Sequence, residues 1–319
     1  MKLKFGYDVS GLAVYVNEEK LPLFMKSVFA GESAQMFTIQ EGIKYKDVIN
    51  IMDQQVYMRA NTGCSTFTAS GNQIFTQKEI SVDGIIHETA LCPNDLENYW
   101  ARVGLQTGQY YDTMAFESEW SAYYTALINA EVEKQIWEGN KSTGTGNLAL
   151  VNGILKAVDG DTACIDANVT AGSYTQKTSI TASNVIEIFE QMITKLPQSI
   201  EGAEDLFFAC SWSTFKKLLS AFRTLNNYYV DVNTPNPYTT GEYTLPTWGI
   251  KVKAFKGLTS ERIVLTRVSN IVLGTDLRND FEGFQVWYEQ KDDKILTRLK
   301  YKLGAEVVIG SEVVEYTNK

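Results

Sequence analysis

Residues 112–139 read DTMAFESEWSAYYTALINAEVEKQIWEG, a run without proline whose single glycine closes it. It predicts one long amphipathic helix. Asp112 or Thr113 can cap the first unpaired amides, and Glu117 and Glu119 lie near the positive end of the helix dipole. Phe116, Trp120, Tyr123, Leu127, Ala130 and Trp137 recur at three- and four-residue spacing and predict a single apolar stripe. Gly139 reads as the left-handed stop. At about 1.5 Å per residue the helix is roughly 40 Å long, enough to cross a domain. It carries no catalytic constellation; its aromatic stripe is packing surface.

Upstream, residues 1–42 alternate short apolar clusters with single glycines and charges, which suits an extended arm that packs on something else. From about Ile43 to Val82 the pattern turns to β, with strand-like runs at 48–52, 55–59 and 73–82 separated by Asn61-Thr-Gly63 and Ala69-Ser-Gly71-Asn72. Thr66, Thr68, Thr76, Gln77, Lys78 and Glu79 leave both faces of these strands largely polar. A long hairpin with so little to bury is marginal alone, so it either crosses a neighbour or forms a solvent-facing sheet edge. Cys92-Pro-Asn-Asp carries a helix-start signal with Asn94 as its cap.

Downstream, 178–195 predicts a helix capped by Ser183, with Val185, Ile188, Phe189, Met192 and Leu196 inward and Pro197 as its stop. Asp205–Cys210 is a buried strand running into a helix capped by Ser211 or Ser213, with Trp212, Phe215, Leu218, Leu219 and Phe222 inward. Residues 231–241, DVNTPNPYTTG, form a loop without periodicity. Strands are predicted at 250–254, 262–266, 270–274, 283–289, 295–301 and 305–309. The class is α+β.

The 319 residues are 44% hydrophobic and 21% charged, as in a globular protein with ample core. A formal charge of -9 argues against gripping nucleic-acid phosphates as a main task. The four cysteines, Cys64, Cys92, Cys164 and Cys210, form neither a disulfide framework nor a zinc signature, which suits a reducing compartment. No run approaches the roughly 20 apolar residues of a membrane span, and the N-terminus lacks a signal-peptide core.

Enzymatic readings fail one after another. In Gly139-Asn-Lys-Ser-Thr-Gly-Thr-Gly146 the Lys-Ser pair lacks the glycines that a phosphate loop places before it. Gly144-x-Gly146-x-x-Ala149 follows a helix instead of a strand, so the dinucleotide context is missing too; a flexible exit turn is the simpler reading. His87 is the only histidine, which rules out a multi-histidine metal site and reads as structural. The pairs Glu117/Glu119 and Asp292/Asp293 fall at a helix start and in a charged turn, ordinary places for solvated carboxylates. Asn140-Lys-Ser and Asn168-Val-Thr match a glycosylation pattern without a secretory route. No catalytic residue, cofactor or metal emerges.

The order of elements decides more than any motif: arm, long polar hairpin, long helix ending Glu138-Gly139, loop into Asn152-Gly-Ile-Leu155, α/β region, terminal strands. It resembles the major capsid protein of tailed bacteriophages, whose shell fold is shared with encapsulins and the herpesvirus capsid floor. Trp137-Glu-Gly139 through Val151-Asn-Gly-Ile-Leu155 resembles that family's passage from spine helix to axial domain. Asp205–Leu219 resembles its strand followed by a helix, and Trp248-Gly-Ile-Lys-Val252 and Ile263–Gly274 its final axial strands.

The resemblance implies a non-enzymatic structural protein. Its parts are an N-terminal arm (1–42), an extended hairpin loop (43–83) reaching over an adjacent subunit, a peripheral domain (84–145 and 276–319) with the spine helix (112–138), and an axial domain (146–275). Copies would form pentamers and hexamers of an icosahedral head around double-stranded DNA, touched non-specifically. Asn61, Gly63, Gly71, Asn72, Lys78, Asn233, Pro235 and Tyr238 are then candidate inter-subunit contacts. Scaffold, portal, decoration and head-closure proteins are possible partners, a membrane is not. The location is the virion, with the host cytoplasm during assembly. Only a short arm precedes the hairpin, so a scaffold, if one is needed, would be a separate protein, or the chain is already processed. Some family members cross-link a loop lysine to a neighbour's asparagine, and Lys44, Lys46 and Lys78 lie in or near that loop. The rivals are an encapsulin-type nanocompartment shell and, in another class, a cytoplasmic hydrolase or sugar-binding module.

Overall fold

The computed structural model describes residues 31–54, 57–58, 73–92, 116–225, 236–276, 284–289, 291–292 and 294–317. The described chain begins with one helical turn, α1 (Glu32–Met36), and a short strand, β1 (Thr38–Gln40). The arm is therefore not wholly extended. A hairpin follows, β2 (Lys46–Gln54) and β3 (Gln73–Ser81), and then β4 (Asp83–Leu91). The long helix is α2 (Phe116–Glu138), and α3 (Ile154–Gly160), β5 (Ile165–Asp166) and α4 (Val185–Thr194) come after it. Next are β6 (Leu206–Ser211), α5 (Trp212–Thr224), the single turn α6 (Pro237–Thr240), β7 (Glu242–Thr244) and β8 (Lys251–Phe255). The last strands are β9 (Ile263–Arg267), β10 (Ile271–Gly274), β11 (Phe284–Glu289), β12 (Lys294–Val307) and β13 (Val314–Tyr316).

Two larger sheets organise these elements. In one the order is β5-β13-β9-β6-β8-β7. The other runs β1-β10-β12-β11, with β4 paired to β12 as well. β10 thus departs from β9 into the second sheet, and β13 returns to the first, so each sheet holds a strand from the other's stretch of sequence. One hydrophobic cluster fills the space between the sheets and α2, joining Phe207, Val264 and Phe255 to Trp137, Leu299 and Leu303. A second lies on the opposite face of the six-stranded sheet, under α4 and α5.

The α2 stripe differs from the one its spacing predicts. Leu127 is 49% exposed and Ala130 is exposed, whereas Tyr124, Ile128, Val132 and Ile136 face the core. Towards its C-terminus the buried arc widens to Val132, Glu133, Gln135, Ile136 and Trp137, and only Glu131, Lys134 and Glu138 stay partly exposed on the opposite side. Glu133 and Gln135 are buried with Trp137. The side chains of Phe116, Trp120 and Tyr123, and the cap residues Asp112 and Thr113, lie outside the described residues, as does the helix signal at Asn94.

Gly139 does not adopt a left-handed conformation. Its Cβ would stand 2.5 Å from Gln135 O and 2.6 Å from Val151 O, and that of Gly153 would stand 2.6 Å from Gln135 O. Glycine is needed here because two backbones touch, with Gly153 N donating to Gly139 O at 2.8 Å. The turn between them is tightly bonded: Asn140 Oδ1 accepts from Ser142 N and Thr143 N, and Asn152 Oδ1 from Lys141 N.

Other predicted boundaries move for local reasons. α4 starts at Val185 behind Asn184, not at 178 behind Ser183, because Asn184 Oδ1 accepts from Thr181 N and holds the preceding chain in a turn. Its predicted stripe is correct, with Val185, Ile188, Phe189, Met192 and Leu196 all buried. Ser211 caps α5 through Thr214 N at 3.3 Å. The strands expected at 295–301 and 305–309 are one 14-residue strand, β12. Gly304 sits inside it where a Cβ would strike Ser81 O of the hairpin, so it marks a close crossing instead of a break. Tyr57 and Met58 lie outside any strand, contrary to the run expected at 55–59. Asn236–Gly241 form a capped helical turn where a structureless loop was expected.

Candidate assembly surface

β2 and β3 pair antiparallel from Lys46↔Ser81 to Gln54↔Gln73, so alternate residues take opposite faces. On one face the root is buried: Ile80, with Ile43, Val82 and Val272, forms a small cluster against which Ile49 packs. The other face carries Val48, Met52 and Phe75, which are 40%, 66% and 68% exposed, with Met52 directly opposite Phe75. A two-stranded ribbon that shows apolar side chains to solvent and has a core only at its root is a candidate assembly surface.

Charge fixes that root. Lys78 Nζ lies 2.7 Å from Asp161 Oδ2 at the end of α3 and 3.7 Å from Glu306 Oε1 on β12. Partial burial opposes the charge on Lys78, but its hydrogen bond to Asp161 and the fields of Glu306 and Asp161 outweigh that, raising its pKa. The same hydrogen bond holds Asp161 below the usual carboxylate range, while burial pushes Glu306 above it. Lys78, one of the three lysines in or near the loop, is thus paired within its own chain. Lys302 reaches Asp276 Oδ2 at 2.7 Å and Lys44 O at 2.9 Å, and Lys141 reaches Asp83 at 2.8 Å, tying the ends of the hairpin to β12 and to the turn after α2.

The segment before the hairpin is clasped separately. Ser33 N and Oγ donate to the two oxygens of buried Glu133, at 2.9 and 2.6 Å, and Trp137 Nε1 donates to Ser33 Oγ at 2.8 Å. Gly31 leaves no room for a Cβ beside Glu133. Burial raises the Glu133 pKa above the ordinary value. Phe37 packs edge-on to Trp137 with ring centroids 5.8 Å apart, and β1 continues into the second sheet parallel to β10. No sequence pattern flags this clasp, because Glu133 looks like one more surface charge on a helix.

Of the candidate contacts, Asn61, Gly63, Gly71, Asn72, Asn233 and Pro235 lie outside the described residues. Tyr238 is 54% exposed on α6, far in sequence from the hairpin. His87 is exposed in mid-strand on β4 and stacks on Tyr124 with centroids 5.5 Å apart. Asn168 is buried and bonded to Lys177 O, Thr317 O, Tyr174 Oη and Lys177 N, a purely structural place. Cys92, Cys164 and Cys210 are free thiols, and burial with nearby carboxylates pushes Cys164 up to about 12. Among the described residues no cluster of His, Cys, Asp or Glu is arranged to hold a metal ion, and no helix is long and apolar enough to cross a membrane.

No family profile and no curated protein matches this sequence. Solved structures do. The procapsid of satellite phage P4, with its size determination protein, matches at a TM-score of 0.57 and 10% identity, over 95% of this chain and 99% of that one. The capsid of an empty GTA particle matches at 0.53 and 11% identity, over 91% and 89%. A virus-like particle from Pyrococcus furiosus matches at 0.52 and 8% identity, over 94% and 98%. At these identities the likeness is one of fold: the chain has the α+β fold of phage major capsid proteins.

Proposed function

We propose that this chain is a structural protein, the major capsid subunit of a tailed phage, assembling with copies of itself into pentamers and hexamers of an icosahedral head around double-stranded DNA. The observation that carries the reading is the hairpin, which shows Val48, Met52 and Phe75 to solvent while charged groups fix its root. In this proposal it lies across an adjacent copy, which covers its apolar face and its unpaired edges. Residues 84–145 and 276–319 form the peripheral domain and 146–275 the axial domain, with β10 and β13 exchanged across that boundary. Many modest contacts repeated by symmetry close the shell.

Contact with packaged DNA is non-specific and weak, as the net charge of -9 suits. Scaffold, portal, decoration and head-closure proteins complete the particle, which is assembled in the host cytoplasm. The test is light scattering and negative-stain microscopy of the expressed protein, alone and with its neighbouring gene products. Rings or closed shells are expected; a monomer under every condition overturns the proposal. The likeness to a virus-like particle favours one second reading, a nanocompartment shell. Protein cargo in place of nucleic acid would select it.

A further inference from the structure

The β7–β8 edge of the six-stranded sheet ends in two different surfaces. At one end, the turn from β7 into β8, Trp248 stands 42% exposed over a cleft of about 410 Å³. Leu196 and Leu206 line it from within, at 8% and 5% exposed. Glu201 and Glu204 are exposed on its rim with Lys251, so the cleft carries one carboxylate in excess. None of these three charged groups makes an ion pair among the described residues. At the other end, about five strand residues or roughly 15 Å away, Tyr238 projects from α6.

That tyrosine is held in place. Asn236 Oδ1 accepts from Tyr238 N at 2.9 Å, Pro237 opens the turn, and Gly241 closes it at φ 69°. The Tyr238 ring packs edge-on to Trp212 with centroids 6.1 Å apart, and Lys216 Nζ stands 5.9 Å above it. The result is a rigid aromatic knob with a positive charge beside it. A tyrosine fixed before it binds loses little entropy on docking, and tyrosine and tryptophan are the usual anchors of interfaces.

A ring of identical copies needs two different, complementary patches on each copy. We infer that the knob of one copy, Tyr238 with Lys216, seats in the Trp248–Leu196 cleft of the next, with Lys216 facing Glu201 and Glu204. This rests on the shell-building reading and names the contact that closes the capsomer. The cleft is at the small end for a ligand pocket, a size that fits one aromatic side chain with its neighbouring ammonium. Opposite charge at the two surfaces orients the encounter and penalises the reversed pairing.

The test is charge reversal and its rescue. Lys216→Glu alone, and Glu201→Lys with Glu204→Lys, are each expected to raise the concentration needed for ring and shell formation by on the order of tenfold. The triple reversal is expected to recover most of that loss. Tyr238→Ala should weaken assembly on either charge background. All these side chains are exposed, and unchanged circular dichroism and unfolding midpoint will show that the subunit still folds. Reversals that are silent in a protein whose wild type assembles overturn this contact alone, as does a triple variant that fails to recover. A wild type that forms neither rings nor shells overturns the shell-building reading and the contact with it.

Discussion

Ser33→Ala probes the seat of the arm with the largest leverage per atom removed. The hydroxyl donates to Glu133 Oε2 at 2.6 Å and accepts from Trp137 Nε1 at 2.8 Å, and Glu133 and Trp137 are 6% and 0% exposed. Its loss costs a hydrogen bond to a carboxylate, about 1.5–3 kcal/mol, and strands a buried indole N–H, about 1–3 kcal/mol more. Together that is about 2.5–6 kcal/mol, a large share of a domain's stability. Glu133→Gln is the contrasting variant. Its amide oxygen still accepts from Ser33 N and its NH₂ can donate to the second lone pair of the serine, but the buried Ser33 O–H loses its acceptor, so about 1–3 kcal/mol is expected, less than for Ser33→Ala. Urea unfolding of the unassembled subunit, followed by tryptophan fluorescence, measures both. A Ser33→Ala variant within about 0.5 kcal/mol of wild type, or a costlier Glu133→Gln, refutes the reasoning.

The same pair fixes a pH dependence. Burial raises the Glu133 pKa and nearby Glu32 adds to the effect, while the two Ser33 bonds and Lys253 pull against them. The folded chain therefore holds a proton that the unfolded chain releases near 4.5. This contribution to stability is complete below that value and is lost as pH rises through the folded pKa. Glu133→Gln should remove this falling limb from the wild-type curve, which the difference between the two pH profiles isolates.

Gly139→Ala or Gly153→Ala forces a Cβ to within 2.5 or 2.6 Å of backbone oxygens that cannot step aside, so a loss of about 1–3 kcal/mol or more is expected in the same urea assay. Lys78→Met leaves Asp161 and Glu306 without their shared cation; amide exchange in β3 should accelerate at neutral pH. The effect should shrink on acidification, because Glu306, raised by burial, is neutralised before an ordinary glutamate. Met52→Asp with Phe75→Asp should abolish shell formation by light scattering while leaving the subunit's unfolding midpoint unchanged, since both side chains are largely exposed.

Readings that depended on near neighbours were legible in the sequence. The buried run Leu206–Ser211, the Ser211 cap and the inward face of α4 follow from patterns a few residues long, and each is found in place. So does the hairpin, although its faces are less polar than expected: Val48, Met52 and Phe75 share one, and Ile49 and Ile80 the other. The α2 stripe differs because the core takes the neighbouring line Tyr124, Ile128, Val132 and Ile136, and polar Glu133 and Gln135 are drawn into the buried arc, which spacing of aromatic residues does not reveal.

The sequence by itself determined where most of the elements lie and that the hairpin has little core of its own, because propensity, capping and alternation act over one or two turns. The tertiary structure alone decided what those elements touch. Ser33 meets Glu133 across 100 residues, and Lys78 meets Asp161 across 83. Gly139 and Gly153 are glycines because two backbones touch, and Gly304 because β12 crosses the hairpin. A glutamate, a lysine or a glycine reads the same in solvent as in such a junction. Only the approach of distant segments, with the loss of water between them, gives it a role.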